Sequence, residues 1–398
     1  MSKTEQFIAE VEEVSAHNYH PLPVVLSKGE GAWVEDVEGK RYIDMLASYS
    51  ALNQGHRHPK IVKALKDEAD KLTLTSRAFH NDRMGPFLRK LTKLTGFDKA
   101  LLMNTGAEAV ETAIKAARRW GYIKKSVPAD KARIIVCNGN FHGRTTTIVG
   151  FSTDLICRDG FGPFTPGFDI IPYNNIDSLE RTIDENTVAF LVEPIQGEAG
   201  VLVPDDGYLK KCAEICKNNN VLLICDEIQT GFGRTGRMFA SDWEGVRPDI
   251  ICMGKALGGG VYPVSGIVAD NEIMMAAFEP GNHGSTFGGN PLACAVAEAA
   301  INVIVDEHLA ERAAELGDVF RKELRKMNHK RIKEIRGKGL LTGVELHEPA
   351  RPFSLELMDK GILAKDTHET TIRFAPPLII KKEELMGAVK TIAEVLQK

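Results

Sequence analysis

Residues 222–236 read LLICDEIQTGFGRTG, and residues 249–260 read DIICMGKALGGG. The run Val221, Leu222, Leu223, Ile224, Cys225 has no polar alternation, which predicts a strand covered on both faces, as in a parallel α/β sheet. Asp226 then emerges at its carboxyl end, the edge at which such sheets bind ligands. Lys255 follows a second apolar run, residues 250–253, and precedes Ala256, Leu257 and three glycines. A lysine in that setting is poorly solvated, which lowers its pKa and makes it a candidate imine former. Asp226 and Lys255 read as two ends of one ligand site.

Working outward, further apolar strands are expected at residues 101–104 (LLMN), 133–137 and 188–192, separated by helical stretches. Strands alternating with helices imply right-handed crossovers and a mainly parallel sheet. Upstream, after an amphipathic opening helix, GAWVEDVEGKRYIDML reads as short strands turning at Glu38 and Gly39, a small antiparallel unit. From Asn290 the chain reads as helical, and GLLTGVEL and TTIRFAPPL then alternate with helices beginning near Ser354 and Lys382. The expected organisation is a segment 1–50 joining a small domain, a large cofactor-binding domain over 51–285, and a smaller α+β domain over 286–398.

The bulk properties narrow the class. At 398 residues, 43% hydrophobic and 26% charged, the chain has the composition of an ordinary globular protein. A formal net charge of -4 offers no electrostatic case for nucleic acid or an anionic membrane. No run approaches the roughly 20 apolar residues that cross a bilayer, and the acid-containing amino terminus lacks the pattern of a signal or transit peptide. The expectation is cytoplasmic. Seven cysteines, mostly inside apolar runs, point to packed thiols in a reduced compartment. His142 and His283 have no second ligand at metal spacing, and His56 and His58 read as turn residues, so no metal is assigned.

The glycines after Lys255 do not make a Walker A loop, since Asp249 and Ala256 stand where that loop needs Gly and Ser or Thr. A Schiff-base aldolase also uses a buried lysine, but it leaves Asp226 without a task. Pyridoxal phosphate uses both. Its ring nitrogen must stay protonated to draw electrons from a substrate carbanion, and a buried carboxylate such as Asp226 holds that proton. Its phosphate suits a helix amino terminus at Asn104, Thr105, Gly106 and Ala107, with Gly106 permitting close backbone approach. Phe141, just past a strand end, is placed to lie against the ring. Each residue also has a plainer reading: Asp226 or Ser285 and Thr286 as helix caps, Lys255 as a surface lysine, Phe141, Tyr19 and Tyr49 as packing residues.

MNTGAEAVETAIK, NFHGRT, EPIQGEAGV, DEIQTGFGRTG, GKALGGG and HGSTFGGNPLA occur in this order over nearly the whole chain. The set resembles the class III (subgroup II) aminotransferases of the fold type I pyridoxal phosphate family. That resemblance implies an α/β fold with a large, mainly parallel sheet and a smaller α+β domain. It also implies that Lys255 forms the imine with the cofactor and moves a proton, that Asp226 pairs with the pyridine nitrogen, and that Gln229 approaches the ring hydroxyl. Ser285 and Thr286 would reach the cofactor phosphate of a neighbouring subunit, making the active unit a homodimer or a larger homo-oligomer.

Residues 17–61 are similar in particular to the ornithine-transaminating branch of that class. The likeness implies that Tyr19 and Arg144 hold the α-carboxylate of L-ornithine and that Tyr49 favours ornithine over related amines. Glu198 and Arg373 would form a switch, with Glu198 neutralising Arg373 for ornithine and releasing it for glutamate or 2-oxoglutarate. An ordinary salt bridge is the plainer reading of that pair. Acetylornithine or 4-aminobutyrate transamination is the neighbouring alternative, and a noncatalytic binding protein of the same fold is the alternative from another class.

Overall fold

The apolar runs become the central strands of one large sheet because neither face meets solvent there. The computed structural model describes residues 1–397. In chain order the strands are β1 (Leu26–Glu30), β2 (Trp33–Asp36), β3 (Arg41–Asp44), β4 (Lys99–Met103), β5 (Arg133–Cys137), β6 (Phe168–Ile171), β7 (Thr187–Val192), β8 (Leu222–Asp226), β9 (Ile250–Met253), β10 (Ser265–Ala269), β11 (Ile332–Lys338), β12 (Leu341–Leu346), β13 (Ile362–Leu363), β14 (Lys365–Thr367) and β15 (Thr371–Phe374). The central sheet has seven strands in the order β4-β10-β9-β8-β7-β5-β6. β7, β8 and β9 are buried at every residue, as expected of strands with helices on both faces.

Two strands of this sheet were not foreseen. β6 alternates poorly, and β10 begins Ser265, Gly266 beside a glycine-rich stretch, so neither stands out as a run. β10 is antiparallel to both β9 and β4, and it is the one reversed strand of this sheet. Its approach to β4 needs Gly266, because a Cβ there would lie 2.4 Å from the Leu101 carbonyl oxygen. The remaining strands all point their carboxyl ends to one edge, so Met103, Cys137, Val192, Asp226 and Met253 open onto the same side of the molecule.

The helix Gly106–Ile123 lies on one face, with a capping box in which Thr105 accepts from the Glu108 amide and Glu108 accepts from the Thr105 amide. Ala109, Ala113, Ala116 and Ala117 let it sit close to the sheet, and all are fully buried. Tyr208–Asn218 covers the other face through Leu209, Cys212 and Cys216.

The chain after Asn290 is not one helix. It breaks at His308, which takes φ 51°, into Pro291–Asp306 and Leu309–Lys326. The helix expected near Ser354 spans Arg351–Asp359, with Pro352 in its first turn. β11, β12, β15 and β14 form an antiparallel sheet in that order, and β13 instead joins β3 in parallel at the edge of the amino-terminal sheet. Among the described residues no helix is long and apolar enough to cross a membrane.

Candidate active site

The common edge of the large sheet brings together side chains delivered by different strands. Asp226 ends β8 and is 5% exposed. Its Oδ1 accepts from the Ile228 amide at 3.1 Å, and its Oδ2 faces His142 Nδ1 at 2.7 Å. Burial lowers the His142 pKa, but the hydrogen bond and charge of Asp226 outweigh it, so the imidazole lies above its ordinary value.

Lys255 stands two residues after β9. Its backbone takes φ 43°, a left-handed conformation that costs a non-glycine residue about 1–3 kcal/mol and recurs where geometry is held for function. Burial holds its ammonium below the usual lysine range, against the opposing pull of Glu198 and Asp226. A neutral amine, able to act as base or nucleophile, is correspondingly more accessible.

Gly106, Ala107, Phe141, Asp226, Gln229 and Lys255 all line one cavity of about 200 Å³. Glu108 occupies the amides of Asn104 and Thr105, while those of Gly106 and Ala107 have no acceptor among the described residues. They leave an anion seat at the helix amino terminus. Ser285 Oγ accepts from Asn104 Nδ2 of the same chain at 2.8 Å and Thr286 is exposed; neither residue lines this cavity.

His142 and Glu193 also line this cavity and were not among the residues singled out for it. The signal for Glu193 was the one used for Asp226, an acid at the end of a wholly apolar strand. Glu193 accepts from the Phe141 amide at 3.0 Å, and burial, only partly offset by His142, lifts its carboxyl to about 7. Between pH 4.5, its ordinary value, and about 7 the folded protein therefore binds more protons than the unfolded chain, and stability falls as pH rises. Glu193→Gln keeps the acceptor for Phe141 and is expected to flatten that part of a melting-temperature profile; an unchanged slope would assign the proton elsewhere.

A second group of residues adjoins the cavity. Arg373, on β15 and 2% exposed, donates from Nη1 to Glu198 Oε1 at 2.7 Å, Gln229 Oε1 at 3.1 Å and the Gly197 carbonyl at 3.2 Å. Gln229 Nε2 donates to the same Glu198 oxygen at 2.9 Å, so Gln229 belongs to the ion pair as well as to the cavity wall. Burial lifts the Glu198 carboxyl, but the charges of Arg373 and Lys255 hold it down at about 2. Arg144, by contrast, has no carboxylate partner among the described residues: its Nη1 donates to the Tyr19 hydroxyl at 3.2 Å, and its guanidinium lies 5.4 Å from the Phe141 ring.

Tyr49 stands in a turn of four consecutive left-handed residues, Ala47, Ser48, Tyr49 and Ser50, with φ of 47°, 47°, 60° and 75°. Such a turn costs about 1–2 kcal/mol per residue for L side chains. Asp44 holds it by accepting from the Leu46 and Ala47 amides at 2.8 Å, and His56 in turn steadies Asp44. The Tyr49 ring lies 5.1 Å from the Arg373 guanidinium.

The sequence as a whole decides the family. The aminotransferase class-III model matches residues 14–396. This chain belongs to the class-III aminotransferases. An ornithine aminotransferase of Brevibacillus brevis is 61% identical over 396 residues, covering 100% of this chain and 99% of the relative. Among solved structures, the ornithine aminotransferase of Toxoplasma gondii, described with partial occupancy of PLP at its active site, superposes with a TM-score of 0.98 at 49% identity, covering 99% of this chain and 94% of that one. An acetylornithine aminotransferase of Elizabethkingia anophelis superposes with a TM-score of 0.91 at 51% identity over the whole of both chains.

Class-III aminotransferases depend on pyridoxal phosphate, and the cavity fits that group on its own chemistry. Two unpaired amides suit its phosphate, a buried carboxylate backed by an imidazole suits its ring nitrogen, and a poorly solvated lysine suits its aldehyde.

Proposed function

We propose that this aminotransferase moves the δ-amino group of L-ornithine to 2-oxoglutarate, giving glutamate and glutamate 5-semialdehyde, which cyclises to pyrroline-5-carboxylate. One contrast carries the reading: Arg373 is neutralised by Glu198 at 2.7 Å, while Arg144, held by neutral neighbours such as Tyr19, has no carboxylate partner among the described residues and is open to take one. Ornithine has a carboxylate at one end and a cation at the other. A site with one open arginine and one masked arginine accommodates it, and unmasking the second arginine accommodates a dicarboxylate. Breaking a buried pair is expensive unless a new partner arrives, so the dicarboxylate itself would compensate the release.

In this reading Gly106, Ala107 and the partner subunit's Ser285 and Thr286 hold the cofactor phosphate, and Phe141 lies against its ring. Bound pyridoxal phosphate supplies a carbonyl for amine exchange and a ring that accepts electrons. Asp226 keeps a proton on the ring nitrogen, and Gln229 steadies the ring hydroxyl. Arg144 and Tyr19 orient the ornithine α-carboxylate so that the δ-amine points inward, with Tyr49 shaping the cavity for that chain. Lys255 takes the proton from the carbon bearing the amine. The proposal includes a cytoplasmic homodimer and a division of the chain into a segment 1–50, a large domain 51–285 and a small domain 286–398; the parallel pairing of β13 with β3 supports joining the first of these to the last.

The likeness to an acetylornithine enzyme makes acetylornithine transamination the second reading. The test is a half-reaction without keto acid, in which ornithine, N-acetylornithine or 4-aminobutyrate is added and loss of the cofactor absorbance is followed. Ornithine is expected to react fastest, and faster reaction with N-acetylornithine would give the site to the second reading. In the same assay Glu198→Ala should raise the reactivity of glutamate relative to ornithine by about tenfold or more, equivalent to ~1.4 kcal/mol. An unchanged ratio would remove Glu198 from the switch.

A further inference from the structure

We propose that Lys365 is a specificity-determining residue for the dicarboxylate substrate, acting as a positioning residue that turns the Tyr49 hydroxyl into a donor beside Arg373. The proposal rests on the two-substrate reading above.

β14 is a three-residue edge strand, and Lys365 and Thr367, two apart, share one of its faces. Thr367 Oγ1 donates to the backbone carbonyl of Glu198 at 2.6 Å, and Lys365 Nζ donates to the Tyr49 hydroxyl at 3.3 Å. One short face therefore holds both Glu198 and Tyr49. Across the ladder Lys365 is directly opposite Arg373. Two cations in that position repel each other, and strands ordinarily avoid the arrangement. Here the Tyr49 ring interacts with both, with Lys365 Nζ 5.9 Å and Arg373 Cζ 5.1 Å from its centroid. The left-handed turn over residues 47–50 is the strained element that brings the ring there.

Only one carboxylate, Glu198, is paired with this group; among the described residues Lys365 has no ion-pair partner. Two cations against one acid violate local charge balance, and violations of that kind concentrate at functional sites. The chemistry of the contact gives it a direction. An ammonium has three donors and no acceptor, so the phenol oxygen must accept from Lys365, and its own proton is left to donate. With Glu198 withdrawn, this end of the cavity would present the Arg373 fork, a Tyr49 donor and a second positive charge, a set complementary to a carboxylate. With Glu198 in place, the extra charge of Lys365 adds nothing to holding ornithine, whose carboxylate is taken up at Arg144.

The experiment compares KM for 2-oxoglutarate with KM for the amine donor that the parent enzyme accepts, in Lys365→Met, Lys365→Arg, Tyr49→Phe and the Tyr49→Phe, Lys365→Met double variant. Lys365→Met is expected to raise KM for 2-oxoglutarate at least fivefold more than KM for the amine, and Lys365→Arg to restore the ratio to within twofold. In the Tyr49→Phe background the same change should add less than twofold, because the hydroxyl it orients is gone. Equal effects of Lys365→Met on the two substrates, or the full effect persisting without the hydroxyl, would overturn the proposal. A parent that prefers N-acetylornithine would overturn the ornithine assignment alone, since the ratio is then scored with that amine.

Discussion

Lys255→Ala is expected to lower steady-state transamination by at least about 10³-fold while the protein still folds and binds pyridoxal phosphate. General acid-base transfer by a positioned side chain supplies about 10²–10⁴ in rate, and in the proposed mechanism the same amine would also be the cofactor's covalent attachment. The residue sits at φ 43° with its ammonium held below the usual lysine range by burial, which favours its neutral form. Glu198, Asp226 and Glu193 each favour its charged form, which keeps the shift from running further. Folding should survive because truncation removes a poorly solvated charge and leaves no buried donor. The anion seat at Gly106 and Ala107 is untouched, so cofactor should still be retained. The check is turnover alongside the absorbance of bound cofactor; turnover above a few per cent of the parent would show that another group moves the proton.

The second large effect is expected from Asp226→Asn, through loss of charge at unchanged shape. His142 would lose its carboxylate hydrogen bond, and in the proposed mechanism the ring nitrogen would face a neutral amide. We expect turnover to fall by at least about 10²-fold, the scale of one lost electrostatic contact in a water-excluded site. Weaker cofactor binding should accompany it. Stability should respond with a definite sign. Because the folded His142 pKa lies above its ordinary 6.5, the His142–Asp226 contact contributes fully below pH 6.5 and is lost as pH rises through the folded value. The melting-temperature gap between parent and variant should therefore be widest in acid and narrow towards alkaline pH. A gap independent of pH would mean that His142 is neutral in the fold. Asp226→Ala is the poorer probe, since leaving a buried cation unpaired costs about 3–5 kcal/mol and confounds chemistry with folding.

Much of this molecule was legible before any coordinates. β5, β7, β8 and β9 are apolar runs bounded by turn residues, and Asp226 and Lys255 are marked by polarity at their ends. Asn104, Thr105, Gly106 and Ala107, between a short apolar run and an alanine-rich stretch, mark a helix amino terminus and hence an anion seat. β10 was missed because its role depends on pairing: Gly266 tolerates the Leu101 carbonyl only once β4 lies beside it. His142 was read as a metal temptation and set aside, and its contact with Asp226 joins residues 84 apart in the chain.

Periodicity and strand-end chemistry by themselves determined the fold class, the edge of the sheet that carries the cavity, and the presence of Asp226 and Lys255 together in its wall. These are local properties, set by which side chains can be buried and which backbone groups are left unpaired. Strand order, ladder register and turn handedness decided the rest. They bring Glu198 to Arg373 across 175 residues, set Lys365 opposite Arg373, and aim Tyr49 from a left-handed turn that its own residues disfavour. Such contacts follow from the packing of distant segments, and a charge pattern along the chain does not record which cation will face which acid.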